Sequence, residues 1–176
     1  MKKKSLINSC SHGWSAISPE LVRAAVLVFV GLALACAKCS DQAKQEPESF
    51  AGNAVVLIFP QSGKTVKVAA EVAATEEQQR QGLMFRTELG ENNGMLFVFP
   101  YSSHHEFWMK NTLIPLDMIF IGEELKIKGL VENARPESTD TLGISDPSKY
   151  VLEVNGGFCH ERGIQSGDSV KILGTK

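Results

Sequence analysis

The chain has 176 residues, 43% of them apolar and 22% charged, which leaves room for one ordinary globular domain and a tail. Beyond Cys36 it carries 14 Lys and Arg against 19 Asp and Glu, a net charge of −5. With no basic patch interleaved with aromatics, this excludes nucleic acid as a partner.

Lys2, Lys3 and Lys4 open the chain, and an uncharged apolar run follows from Ala24 to Ala35. The run is shorter than the roughly 20 residues of a membrane span and fits the apolar region of a secretory signal. Ala33-Leu34-Ala35-Cys36 resembles a bacterial lipobox, with Leu34 one place late. Cys36 is therefore the candidate lipidation site. Residues 1–35 are expected to be a signal peptide, with the protein lipid-anchored to a membrane of the cell envelope and facing the periplasm. The same residues also suit plain signal cleavage, giving a soluble periplasmic protein, or retention as an uncleaved anchor. One acyl chain anchors only marginally, whereas two hold stably. Residues 36–53 read as a polar tether and residues 54–174 as a single domain.

Ala54–Phe59 and Thr65–Ala73 are β-branched or alternating and read as a hairpin. Thr75 with Gln78 three residues on forms a capping box, so a short helix runs to Gly82. Met95–Phe99 reads as a buried strand ended by Pro100. Glu106–Lys110 and Leu116–Ile121 read as strands flanking an Asn111-Thr112 corner. Leu125–Glu132, Tyr150–Val154 and Ser169–Leu173 complete the set, with a second short helix around Cys159–Arg162. About eight short strands with two short helices suggest a mostly β domain, a small barrel or barrel-like sandwich.

Six motifs stand in order: Gly82-Leu83-Met84-Phe85-Arg86, Gly94-Met95-Leu96-Phe97-Val98-Phe99, Phe107-Trp108-Met109-Lys110-Asn111-Thr112, Pro115-Leu116-Asp117, Val151-Leu152-Glu153-Val154 and Gly167-Asp168. Over residues 54–173 the chain resembles the domain-of-unknown-function family 192. The resemblance implies a small, mostly β, barrel-like domain, often exported and sometimes lipid-anchored. It implies no established activity, so no catalytic residue is carried over. Cys159 departs from the small or helix-forming residue expected there.

On a strand, Phe107 and Met109 would face the core while Glu106, Trp108 and Lys110 face outward. Trp108 beside Lys110 then offers a binding platform for a small polar or anionic ligand, or is simply a half-buried edge residue. Asn111 and Thr112 suit a turn that bonds its own backbone. Asp117 interrupts an apolar run and needs a partner, for which Arg86 or Lys110 is the candidate. The alternative is a polar pocket in which Arg86 or Lys110 grips an anion. Arg86, Trp108, Lys110, Asn111 and Asp117 are thus the candidate ligand-binding residues.

Glu71 and Glu153 also sit in apolar strands. With Asp117 they are the carboxylates a hydrolase of cell-wall polysaccharide or peptidoglycan would use. Met84, Met95, Met109 and Met118, with His104 and His105, lack any MxxM or HxxM spacing and read as core filling, so no metal and no cofactor is expected. Cys39 lies in the tether, which argues against its pairing with Cys159. The leading expectation is a non-enzymatic envelope protein with a ligand-binding or accessory domain. A cell-wall hydrolase and a structural partner of another envelope protein are the alternatives.

Overall fold

The structure, a computed structural model, describes residues 53–61 and 63–174. The predicted signal peptide, Cys36, Cys39 and almost all of the tether lie outside the described residues. The predicted hairpin forms from β1 (Asn53–Phe59) and β2 (Val66–Ala73). Helix α1 (Glu76–Gln81) follows, capped by Thr75 with both capping-box bonds made. Strands β3 (Asn93–Ser103), β4 (Leu116–Ile121), β5 (Ile127–Ala134) and β6 (Ser148–Asn155) come next. Helix α2 (Phe158–Arg162) and β7 (Ser169–Leu173) end the domain.

All seven strands form one sheet in the order β5-β4-β6-β3-β2-β1-β7. Every neighbouring pair is antiparallel except β2 and β3, which are parallel. The sheet curls, and its two edges meet at one end. Lys126 bridges Ser169, and the amides of Ile127 and Val170 donate to the carbonyls of Asp168 and Leu125 at 3.0 and 2.8 Å. The domain is the barrel-like, mostly β fold expected from the sequence.

Both faces of the sheet are covered, which is why β4 is buried at all six positions. One cluster draws residues from all seven strands, including Val56, Val68, Leu96, Ile119, Ile127, Leu152 and Val170, and so fills the inside of the curl. Phe158 and Cys159 of α2 plug it. The second cluster lies on the outer face of the central strands and includes Met95, Phe97, Met118, Phe120 and Val151. Leu83 and Met109, from the long connections, cover it.

Two strand expectations are corrected. Glu106–Lys110 is not a strand: Phe107 alone exchanges backbone hydrogen bonds with Leu142, while the Met109 amide turns to the Ser138 carbonyl. The burial expected of alternating side chains persists there, with Met109 inside and Trp108 outside. Pro100 does not end β3 either. The register with β6 shifts between Val98 and Ser103, so the proline interrupts no regular ladder and the strand runs on.

Candidate functional site

Parallel neighbours cannot be joined by a tight turn, so the chain between β2 and β3 must travel back over a face of the sheet. Residues 74–92 do this, and they form one wall of a cleft. The Gln79 side-chain amide fastens α1 to the sheet by donating to the carbonyls of Val98 and Ala73, at 2.9 and 3.3 Å. Residues 104–115, between β3 and β4, form the opposite wall. There the His105 ring stacks on Phe99 with centroids 3.5 Å apart, and its Nε2 lies 2.9 Å from the Ser148 carbonyl. Burial pulls the His105 pKa below its ordinary value, so the ring is neutral at pH 7. Phe107 packs edge-on with Phe97 and Phe120, at 5.2 and 5.9 Å.

Between these walls is a cavity of about 320 Å³ lined by Phe97, Phe99, Phe107, Trp108, Thr112 and Glu153, among others. Glu153 comes from β6. The register places Glu71, Met95, Glu153 and Met118 side by side across four strands, all on the outer face. Glu153 is only 5% exposed. Among the described residues its carboxyl has no hydrogen-bond partner, and burial pushes its pKa up to about 8. At neutral pH it is therefore a protonated acid, able to donate a hydrogen bond or a proton. Thr112, also 5% exposed, lines the same space.

An adjoining groove is lined by Glu77, Arg80, Met84, Trp108, Lys110 and Asn111. Trp108, 51% exposed, is common to both spaces. The Lys110 ammonium lies 5.4 Å from the Trp108 ring centroid, a cation–π distance. Asn111 adopts a positive φ of 59°, which asparagine tolerates better than most residues. Its carbonyl accepts from the Phe85 amide at 2.8 Å and so joins the two walls.

Of the five residues expected to form a site, the structure brings Trp108, Lys110 and Asn111 together. Arg86 and Asp117 do not join them, nor do they pair with each other. Arg86 holds Glu71 in a two-pronged ion pair at 2.7 and 2.5 Å. Asp117 is fully buried on the inner face of β4, where its carboxylate accepts from the amides of Asn133, Gly157 and Cys159 at 2.7, 3.0 and 2.8 Å. Gly157, at the start of α2, has no side chain with which to cap it, and Asp117 supplies the cap from across the interior. Charge needs are thus met twice, by different partners from the single pairing that sequence proximity suggested. The same burial, with the nearby Asp117 carboxylate, raises the Cys159 thiol pKa above its ordinary value.

Glu153 is absent from the five expected binding residues and enters the sequence reading only as one of three carboxylates a hydrolase would use. It was visible only as a carboxylate within an apolar strand, a signal it shares with Asp117 and Glu71. What separates the three is which face each occupies and what waits there. Met95, Met109 and Met118 are core residues, and among the described residues no three His, Cys, Asp or Glu side chains group as metal ligands would.

A curled, largely antiparallel sheet whose outer face carries an aromatic cleft between two long connections defines a small β domain with one candidate ligand site. The chain belongs to the DUF192 family ("Uncharacterized ACR, COG1430"), whose model matches residues 57–172. A crystal structure from Sinorhizobium meliloti 1021, of a protein provisionally named a transcription regulator, is similar with a TM-score of 0.67 and 37% identity. The match covers 72% of this chain and 95% of that one. A protein of unknown function from Novosphingobium aromaticivorans DSM 12444 is similar with a TM-score of 0.64 and 40% identity, over 66% of this chain and 83% of that one. No curated protein matches this chain.

Proposed function

We propose that this is an exported cell-envelope protein, held at the membrane by lipid on Cys36, whose domain binds a small ligand in the cleft above Glu153. The observation that carries the binding reading is Glu153 itself. A nearly buried carboxyl group with no hydrogen-bond partner on the protein weakens the fold, and core positions on such a rung are ordinarily apolar. Here the acid forms the floor of an open cavity, where a ligand can supply the missing partner. Trp108 and Lys110 at the mouth add an aromatic face and a charge. Export and lipidation rest on the apolar run from Ala24 to Ala35 and on Cys36.

A thermal-shift and NMR screen of envelope metabolites and glycans tests the binding reading. At least one compound is expected to raise the melting temperature and to move resonances of Trp108 and Glu153, and Trp108→Ala is expected to abolish both effects. No response from any compound, with Trp108→Ala and Glu153→Gln altering stability alone, would sink it. Metabolic labelling with an alkyne fatty acid tests the anchor: the label should enter the wild-type chain and be absent from Cys36→Ala.

A second reading, a hydrolase of cell-wall polysaccharide or peptidoglycan, draws on the raised Glu153 pKa, which suits a general acid near neutral pH. Glu106 lines the same cavity and is the available second carboxylate. Turnover of cell-wall fragments, lost in Glu153→Gln with the fold intact, would favour it over simple binding.

A further inference from the structure

The fixed cations around the cleft are engaged away from its floor. Arg86 holds Glu71, Arg80 lies 3.2 Å from Glu77, and Lys110 sits over Trp108. The neighbours of Glu153 on its own rung are Met95 and Met118, which carry no charge. The cavity that Glu153 opens to is lined from the crossover wall by Gln79, Arg80 and Gln81, and from the other wall by His105, Glu106 and Thr112. Glu71, two strands along the rung, already has its counter-ion. His105 is neutral, and Arg80 and Glu106 have opposite signs. No charge built into the fold is placed to stabilise an ionised Glu153.

The rest of the lining points to what would. Phe97, Phe99, Phe107 and Trp108 line the cavity. Aromatic faces carry partial negative charge and attract cations, most strongly where water is excluded. Thr112, a residue 5% exposed, adds a hydroxyl to the same lining. A carboxylate and a hydroxyl both accept hydrogen bonds from an N–H-bearing cation. An anion can accept from the protonated acid but is repelled once the acid ionises, and an alkane would leave both polar groups unsatisfied.

We propose that the cleft over Glu153 is a site for an organic ammonium ion, one bearing N–H groups, that is held by the Glu153 carboxylate and the Thr112 hydroxyl beside the aromatic residues that line it. This rests on the ligand-binding reading above and names its ligand class. Binding transfers no electrons and breaks no covalent bond other than the O–H of Glu153, whose proton passes to solvent as the cation enters. An empty site that releases its proton near pH 8 is ionised in about a tenth of molecules at pH 7 and about nine tenths at pH 9. A primary alkylamine, with a pKa near the roughly 10.4 of lysine, stays charged throughout.

The test is calorimetric and NMR titration of the full chain with n-butylammonium, with n-butanol as its neutral counterpart and butyrate as its anionic one. Butylammonium is expected to bind at least tenfold more tightly than either, with affinity rising about tenfold from pH 7 to pH 9 and one proton released per ligand at pH 7. Glu153→Gln should lose the pH dependence and at least tenfold in affinity, and Thr112→Val should weaken binding without removing the proton release. Equal or tighter binding of butanol or butyrate overturns the cation assignment and leaves the binding reading standing. Absence of any response to all three probes also overturns it, and the metabolite and glycan screen then decides the binding reading separately.

Discussion

Replacing Glu153 by Gln isolates the cost of burying an acid. The folded chain holds the Glu153 proton to about pH 8, whereas an ordinary glutamate releases it near 4.5. Unfolding between those values releases the proton, so stability falls as pH rises through that window and levels off above it. Each pH unit of displacement is worth 1.36 kcal/mol, so the full effect is about 5 kcal/mol. Gln cannot titrate. The variant should therefore gain on the wild type by about 2 kcal/mol from pH 4 to pH 6, and by about 5 kcal/mol from pH 4 to pH 9. Urea denaturation of both proteins at half-unit intervals from pH 4 to 9 reads this directly. Burial of the amide shifts the variant's curve by a constant, while the proton shows only in the slope. Parallel curves for the two proteins would refute the reasoning, because they would mean that Glu153 ionises in the folded state as it does in the unfolded one.

Three other outcomes are expected. Asp117→Ala orphans the buried Cys159 amide and the part-buried Asn133 and Gly157 amides, at about 1–3 kcal/mol for the buried one and less for the others, so the purified variant should lose about 3 kcal/mol or more in urea denaturation. Glu71→Gln breaks a half-buried two-pronged pair and should cost about 2 kcal/mol, and combining it with Arg86→Met should cost clearly less than the two changes summed, as a double-mutant cycle will show. The Cys159 thiol, fully buried and with a raised pKa, should react with an aromatic disulfide reagent at pH 8 only as fast as the interior opens, and urea should speed the reaction by orders of magnitude.

Much of the strand order along the chain was legible because it rests on short-range chemistry. The alternation of β2, the Thr75–Gln78 capping box and the apolar run of β4 each declare themselves within ten residues. The false strand at Glu106–Lys110 shows the limit. An alternating burial pattern needs only a chain laid along a surface, and hydrogen bonds to Leu142 and Ser138, over 25 residues away, decided the backbone. The site was legible in part. Trp108, Lys110 and Asn111 meet because they are close in sequence. Arg86 with Glu71 and Asp117 with the start of α2 are pairings across 15 and about 40 residues, and only sheet order and face determine them. Glu153 needed both, since its partnerless state follows from having Met95 and Met118 on either side.

The parallel pairing of β2 with β3 has a consequence for how such a domain changes over time. A crossover is obligatory there, and it spans residues 74–92 whatever those residues do. Its length and side chains can vary while every ladder hydrogen bond of the sheet stays in place, because most of its attachments lie outside the ladders, among them the Gln79 amide, the Leu83 plug, the Phe85 amide on Asn111, the Arg86 pair and the Asn155 amide on Leu89. One wall of the cleft is thus a replaceable part mounted on an unchanging floor. Relatives that share the rung bearing Glu153 could diverge in what they admit by exchanging that wall alone.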